Sequence, residues 1–125
     1  MKNKHEVGNF WENIACEHLV SQDYEIIERN WRCGNFGELD IIAKKRIAQF
    51  EIILVVIEVK FRQDKSFAMP SEAVNRKKQY KIKKLTESYL FTHNLKDVNI
   101  RFDVIEIYWD ACADRYILNH IKEAF

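Results

Sequence analysis

The chain has 125 residues, 47% of them hydrophobic and 31% charged, with a formal net charge of +1. That length and apolar share can build a core within one domain, 1–125, without disulfides or a structural metal, and one Pro with three Gly excludes a low-complexity or disordered chain. Cys16, Cys33 and Cys112 are odd in number and scattered, and His5, His18, His93 and His120 lack metal-ligand spacing, so neither a disulfide framework nor a zinc ribbon is expected.

The N-terminus shows no apolar run of signal-peptide type, and the most apolar stretch, Ile52 to Val59, is too short to cross a bilayer. A cytoplasmic protein with no membrane partner is expected, and no internal repeat is visible.

Gly8 to Val20 has the pattern of an amphipathic helix. At about 100° per residue, Trp11, Ala15, Cys16 and Leu19 form one face, opposite Glu6, Asn13 and Glu17. Glu12 is the misfit, three residues before Ala15 and seven before Leu19, near the middle of the apolar stripe. A carboxylate aimed at a core is costly unless paired, protonated or bound to a cation.

Tyr24 to Trp31 predicts a strand, and Cys33-Gly34-Asn35-Phe36-Gly37 a turn. Glu38 to Ala43 alternates, which predicts Leu39, Ile41 and Ala43 on one face and Glu38, Asp40 and Ile42 on the other. Lys44-Lys45-Arg46 suits the next turn. Phe50 to Arg62 contains a continuous apolar run from Ile52 to Ile57, the mark of a central strand buried on both faces.

Pro70 suits the first turn of a second helix, which the pattern carries to about Thr92 with Val74, Leu85 and Tyr89 inward. Ile100 to Tyr108 and Tyr116 to Ile121 predict two more strands. Short turns join the first three strands as an antiparallel meander, and the second helix is long enough for a crossover to a parallel strand.

Charge is unevenly spread. From Lys60 to Lys84, nine Lys or Arg stand against Asp64 and Glu72, although the whole chain carries only +1. Such asymmetry suits a polyanionic partner, and a solvated helix face explains it nearly as well.

Glu58 and Lys60 are two apart on a strand and share a face where the apolar run ends. Asp40 lies on the neighbouring strand, and the helix bearing Glu12 is expected to pack on that same face. Three acids and a lysine could therefore converge. Hard oxygen ligands such as Asp40 and Glu58 suit Mg²⁺, which keeps several waters and accepts phosphate oxygens. The ion would stabilise phosphate charge and acidify a bound water. Lys60 could orient that water or neutralise the phosphate, and Glu12 could complete the metal shell or hold a second ion. Taken singly, each feature has a plain structural reading: a solvated Asp, a same-face ion pair, a buried structural pair. The joint pattern favours chemistry.

Gly8…Glu12…Ala15…Leu19, Arg29-Asn30, Gly37-Glu38-Leu39-Asp40-Ile41-Ile42-Ala43, Ile57-Glu58-Val59-Lys60-Phe61-Arg62, Glu72-Ala73-Val74 and Arg101-Phe102-Asp103-Val104 form an ordered set. It resembles the bacterial YraN family across nearly the whole chain. By that resemblance the fold is α/β and restriction-endonuclease-like, a mixed central sheet in an αβββαβ core of the PD-(D/E)xK superfamily, similar in layout to archaeal Holliday-junction resolvases. The resemblance implies Mg²⁺-dependent cleavage of DNA, with Mn²⁺ as a substitute. Asp40 and Glu58 become metal-binding acids, Lys60 the water-positioning lysine, Glu12 the first-helix glutamate, and the Val59 carbonyl a further metal ligand. Leu39 stands where the superfamily name has Pro, and Met69 where the family has Gly. Glu38, Arg62 and Asp103 match as well, with structural roles expected over catalytic ones; Asp103 would serve Arg101 or Arg62.

Arg62 could contact phosphate, and Lys77, Lys81 and Lys84 share a helix face suited to following a phosphate backbone. The sequence thus predicts a structure-selective endonuclease acting on branched or distorted DNA, working as a homodimer if it cuts two strands. The rivals are a non-catalytic nucleic-acid-binding module on the same fold and a purely structural or protein-interaction domain. RNA stays open as a substrate.

Overall fold

The computed structural model describes residues 4–62 and 74–125, with side chains from residue 9 onward. Its elements in chain order are α1 (Lys4–Ser21), β1 (Glu25–Cys33), β2 (Gly37–Ala48), β3 (Glu51–Phe61), α2 (Arg76–Thr92), β4 (Ile100–Asp110) and β5 (Arg115–Ile121). The sheet runs β1-β2-β3-β4-β5, antiparallel except for the parallel pair β3 and β4. A parallel pair needs a long crossover, and α2 supplies it. The predicted α/β class, the αβββαβ order and the antiparallel meander are therefore observed.

β3 divides the core. Its even-numbered Leu54 and Val56 pack with Ile82, Leu85 and Tyr89 of α2, while the odd-numbered Ile53, Val55 and Ile57 pack with Ala15 and Leu19 of α1. A fully buried Leu or Ile contributes roughly 1.5–3 kcal/mol, so this two-sided strand is the axis of the fold. α1 meets the sheet through the predicted stripe, with Ala15 and Leu19 fully buried and Asn13 and Glu17 exposed.

Three local expectations are corrected. Lys44, Lys45 and Arg46 are not a turn: they pair with Leu54, Ile53 and Ile52, and the hairpin reverses at Gln49 and Phe50. The hairpin tip is open, with Phe50 90% exposed; Lys44 and Arg46 keep their charges wet while Lys45 donates to the Gln22 carbonyl at 2.6 Å, and all three satisfy their backbone in the ladder.

The second helix starts at Arg76. Asn75, extended at φ −70 and ψ 166, is its N-cap, with Oδ1 accepting from the Lys78 N–H at 2.9 Å. Such a cap contributes about 1 kcal/mol. Pro70, the expected start, lies outside the described residues, as do Met69, Glu72 and Ala73.

The alternation in β2 breaks at Asp40. Leu39 joins Ile42 in the cluster under α2, while Ile41 and Ala43 join the one under α1. Opposite this break, Asn30 of β1 sits at φ 54, a left-handed conformation that re-aims the strand. Among the described residues no helix is long and apolar enough to cross a membrane, and the three cysteines are free.

Candidate active site

β2 and β3 pair regularly from Arg46↔Ile52 to Ile41↔Ile57, and the ladder stops there. One step further stand Asp40 and Glu58. The Asp40 side chain takes over from the ladder: the Val59 N–H donates to its Oδ2 at 2.9 Å. Asp40 thus lies in the gap between the strands, and an extended residue turns its C=O to the same edge as its N–H, so the Val59 carbonyl borders that gap.

The acids reach the gap from different sides. Glu58 alternates with Ile57 and faces α2, where the Lys78 Nζ is 3.7 Å from its Oε2. Glu12 comes from α1, which packs on the opposite face. The expectation that α1 covers the Glu58 and Lys60 face is therefore corrected. Asp40, lying in the plane of the sheet, connects the two sides: it is the strongest acidic influence on both Glu12 and Glu58.

Electrostatics at the gap is strained. Burial, then the neighbouring Asp40, pushes the Glu58 carboxyl up to about 8, and Lys78 and Lys60 fail to offset this. Burial also raises Asp40, against the Val59 N–H and the lysines. Glu12 is raised by burial and by Asp40. Two oxygens are stranded. Glu58 Oε1 and Glu12 Oε1 are buried with no hydrogen-bond partner among the described residues, the latter 3.8 Å from Arg29 Nη2. A buried acceptor without a partner costs about 1–3 kcal/mol, more when charged. Clustered carboxylates with unfilled lone pairs are what a hard cation would relieve.

Lys60 follows Glu58 on the α2 face and pairs in register with Glu106 of β4. Glu106 is fully buried, and its Oε2 accepts from Arg62 Nε at 2.8 Å while Oε1 has no partner among the described residues. Arg62, expected to contact phosphate, is thus committed first to Glu106. Glu38 forms a 3.4 Å ion pair with Arg32. Asp103 is an internal partner of Arg101, not of Arg62, and also binds His120.

The basic residues of α2 divide. Lys77 and Lys84 are exposed, Lys84 lying 3.4 Å from Glu87. Lys81 is half-buried, its stem against Gly37: a Cβ there would come within 2.7 Å of Lys81 Cε, and the glycine φ of +151 disfavours any side chain. Asn75, Lys77, Lys78 and Lys81 line a hollow of about 260 Å³ at the start of α2. Three ammonium groups beside a helix N-terminus suit an anion.

The structure therefore sets Asp40 between Glu12 on the α1 side and Glu58 with Lys60 on the α2 side, and groups Lys77 and Lys81 with Lys78, the lysine that faces Glu58. Lys84 stands further along the helix. Among the described residues no three His, Cys, Asp or Glu side chains form a ready-made cage. A Mg²⁺ site needs none, since this ion keeps several waters and takes one or two carboxylates. Asp40, Glu58 and the Val59 carbonyl fit that donor set.

Two residues of the opening escaped the sequence reading, Lys78 and Glu106. Both carry the signal that singled out Glu12. Lys78 falls in the Val74, Ile82, Leu85 stripe at helical spacing, and Glu106 interrupts the apolar run Val104 to Tyr108.

Fold and site together define a class: an α/β domain of αβββαβ order with a half-buried Asp40 beside a buried Glu58 at a split in its central sheet. Within that class the chain belongs to the family described as Uncharacterised protein family UPF0102, the YraN family its motifs resemble, matched over residues 11–107. That stretch contains every residue placed at the opening. The UPF0102 protein of Caldicellulosiruptor bescii is 43% identical over 124 residues, spanning 98% of this chain and 99% of the relative. Those of Clostridium botulinum strain Alaska E43 and Clostridium beijerinckii are each 40% identical, over 96% of this chain and 93% of the relative.

Proposed function

We propose that this protein is a metal-dependent DNA endonuclease of restriction-endonuclease-like fold that hydrolyses phosphodiester bonds in branched or distorted DNA. The observation that carries the reading is the Asp40–Glu58 pair: a half-buried and a buried acid at the point where β2 and β3 part, with one Glu58 oxygen stranded. No structural ion pair needs that arrangement, because Lys78 at 3.7 Å leaves Glu58 raised.

Asp40, Glu58 and the Val59 carbonyl would hold Mg²⁺ or Mn²⁺, with Glu12 reaching it through water. A bound ion supplies charge stabilisation at the phosphate and an acidified water. The Val59 N–H fixes the Asp40 carboxylate in the gap, so its free lone pairs stay aimed there. Lys60 orients the attacking water and neutralises charge building on the phosphate. Lys77, Lys78 and Lys81 seat the flanking phosphates, which positions the strand without reading its sequence.

The test is Mn²⁺ titration by calorimetry beside cleavage of a four-way junction, a flap and a linear duplex. Asp40→Ala is expected to abolish both ion binding and cleavage, and Lys60→Ala to cut cleavage roughly 10²–10³-fold with ion binding retained. Since ion and proton compete for Glu58, Mn²⁺ affinity should rise about tenfold per pH unit up to about pH 8 and then level. Salt-sensitive junction binding that ignores Mn²⁺, with no cleavage, would establish the binding-module reading instead.

A further inference from the structure

An aromatic cluster stands on the α1 side of the same opening. Trp11 stacks on Phe61 with centroids 4.2 Å apart and planes 14° from parallel, and Phe10 and Tyr116 meet Trp11 edge-on at 5.0 and 5.2 Å. Trp109 meets Tyr116 at 4.7 Å. These rings come from α1, the end of β3 and the β4–β5 hairpin, so the fold has assembled them from three distant segments.

They are not sealed as core aromatics are. Tyr24 and Tyr89 are 4% and 3% exposed, whereas Phe61, Trp109 and Tyr116 are 41%, 43% and 40% exposed. Open aromatic surface gathered in one place, rather than scattered singly, suits a contact with a partner that is itself flat and apolar. Its place is specific: Trp11 precedes Glu12, and Phe61 lies three residues beyond Glu58, about 10 Å along the strand.

The flanking charge selects the occupant. Lys60 and Arg62 alternate with Phe61, and Arg115 with Tyr116, so these cations leave the sheet on the α2 side with the lysine-lined hollow, across the end of the sheet from the rings. Cations on one side of the sheet end and open rings on the other suit a polyanion that carries flat apolar groups, its phosphates on the α2 side and its bases reaching over the end to the rings, which is a single nucleic-acid strand. A fully paired duplex keeps its bases stacked inside and cannot offer them to these rings.

We propose that Phe61, Trp109 and Tyr116 form a stacking platform for unpaired bases of the strand whose backbone passes the acid pair. The proposal rests on the nuclease reading and adds its substrate class: DNA with a single-stranded segment next to the scissile phosphate. Structure selectivity then has a physical source, since only a strand with free bases gains the stacking contacts.

The experiment measures binding without cleavage. Fluorescence anisotropy in EDTA compares a blunt duplex, the same duplex with a short single-stranded tail, and that tail built from abasic sugars of equal phosphate number. The base-bearing tail is expected to bind about tenfold tighter than the abasic one. Phe61→Ala with Trp109→Ala should remove that difference and leave blunt-duplex affinity unchanged. Equal binding of the two tails by the unaltered protein overturns the proposal, whatever the variants do. So does a tail preference that survives both substitutions. Sedimentation of a dimer that Trp109→Ala splits into monomers overturns it too, by making the rings a contact between two copies of this chain.

The outcomes separate from those of the nuclease reading. Mn²⁺-dependent cleavage lost in Asp40→Ala, without any tail preference, sinks the platform alone. A base-dependent tail preference in a protein that never cleaves sinks the hydrolytic reading alone.

Discussion

Two buried carboxylates in this molecule have opposite fates. Asp103, fully buried on β4, receives Arg101 through Nε and Nη2 at 2.8 Å each, His120 at 2.8 Å and the Glu123 N–H at 3.1 Å. Burial alone would raise its pKa, but the bonds from His120, Arg101 and the Glu123 N–H prevail and hold it below the ordinary value. Glu58, buried nearly as deeply, has Lys78 at 3.7 Å and the weaker pull of Lys60 beside a stranded oxygen, and is pushed up to about 8. One acid is completed by the protein. The other is left incomplete, and the proposed ion would complete it.

The network around Asp103 ties the molecule together. Arg101 also donates to the Tyr24 hydroxyl, and His120 meets His18 at 3.2 Å, so β4, β5, α1 and the segment entering β1 share it. The largest expected effect follows. Asp103→Ala strips the half-buried Arg101 and His120 of their shared acceptor and should destabilise by roughly 2–4 kcal/mol in urea unfolding. Acid should do the same: a depressed carboxyl stabilises above its unfolded pKa, and that contribution is lost as pH falls through the folded pKa. A loss of less than about 1 kcal/mol would mean that the network is ornamental.

Glu58 should behave in reverse. Its folded pKa is raised, so the unfolded chain binds fewer protons between the ordinary value of 4.5 and about 8, and ion-free stability falls as pH climbs through that window. Glu58→Gln removes the buried charge and should raise ion-free stability at pH 8 by roughly 1–2 kcal/mol, about 3–8 °C in melting temperature. The same variant should gain nothing from added Mn²⁺, whereas the unaltered protein should gain stability by mass action. A substitution that stabilises the fold while removing ion binding would separate this acid from Asp103 in one measurement. Destabilisation by Glu58→Gln would make it a structural acid after all.

This contrast also explains what could be read from the sequence. The order of elements, the central strand and the crossover were legible because β3 is continuously apolar and the helices carry clear stripes. Glu12 was legible as a charge in a stripe, and the same test applied to Lys78 and Glu106 would have found them. Both the even-numbered and the odd-numbered face of β3 are apolar, so nothing in its sequence fixes which of them α1 covers. The place of Asp40 is a tertiary fact too: it lies in the sheet plane only because the ladder ends at Ile41↔Ile57, and no local pattern encodes where a ladder ends. The Asn30 kink and the long β2 hairpin were hidden likewise, since lysines near an open hairpin tip and lysines in a turn satisfy the same local preferences.

Lys84 tests the weakest contrast, a charge neither completed nor stranded. It lies 3.4 Å from Glu87 on α2, with side chains 46% and 68% exposed, and its Nζ is 5.6 Å from the Tyr80 ring centroid. Solvent screens such a pair, so Lys84→Ala should change stability by less than about 0.5 kcal/mol. The same substitution should weaken binding to any duplex, irrespective of sequence, and lower the slope of log affinity against log salt by about one, because one phosphate contact no longer releases its counterion. An unchanged slope would assign this lysine to a solvated helix face and confine phosphate binding to the hollow formed by Lys77, Lys78 and Lys81. The nucleic-acid path would then end near the N-terminus of α2, directly beside the acids it is proposed to serve.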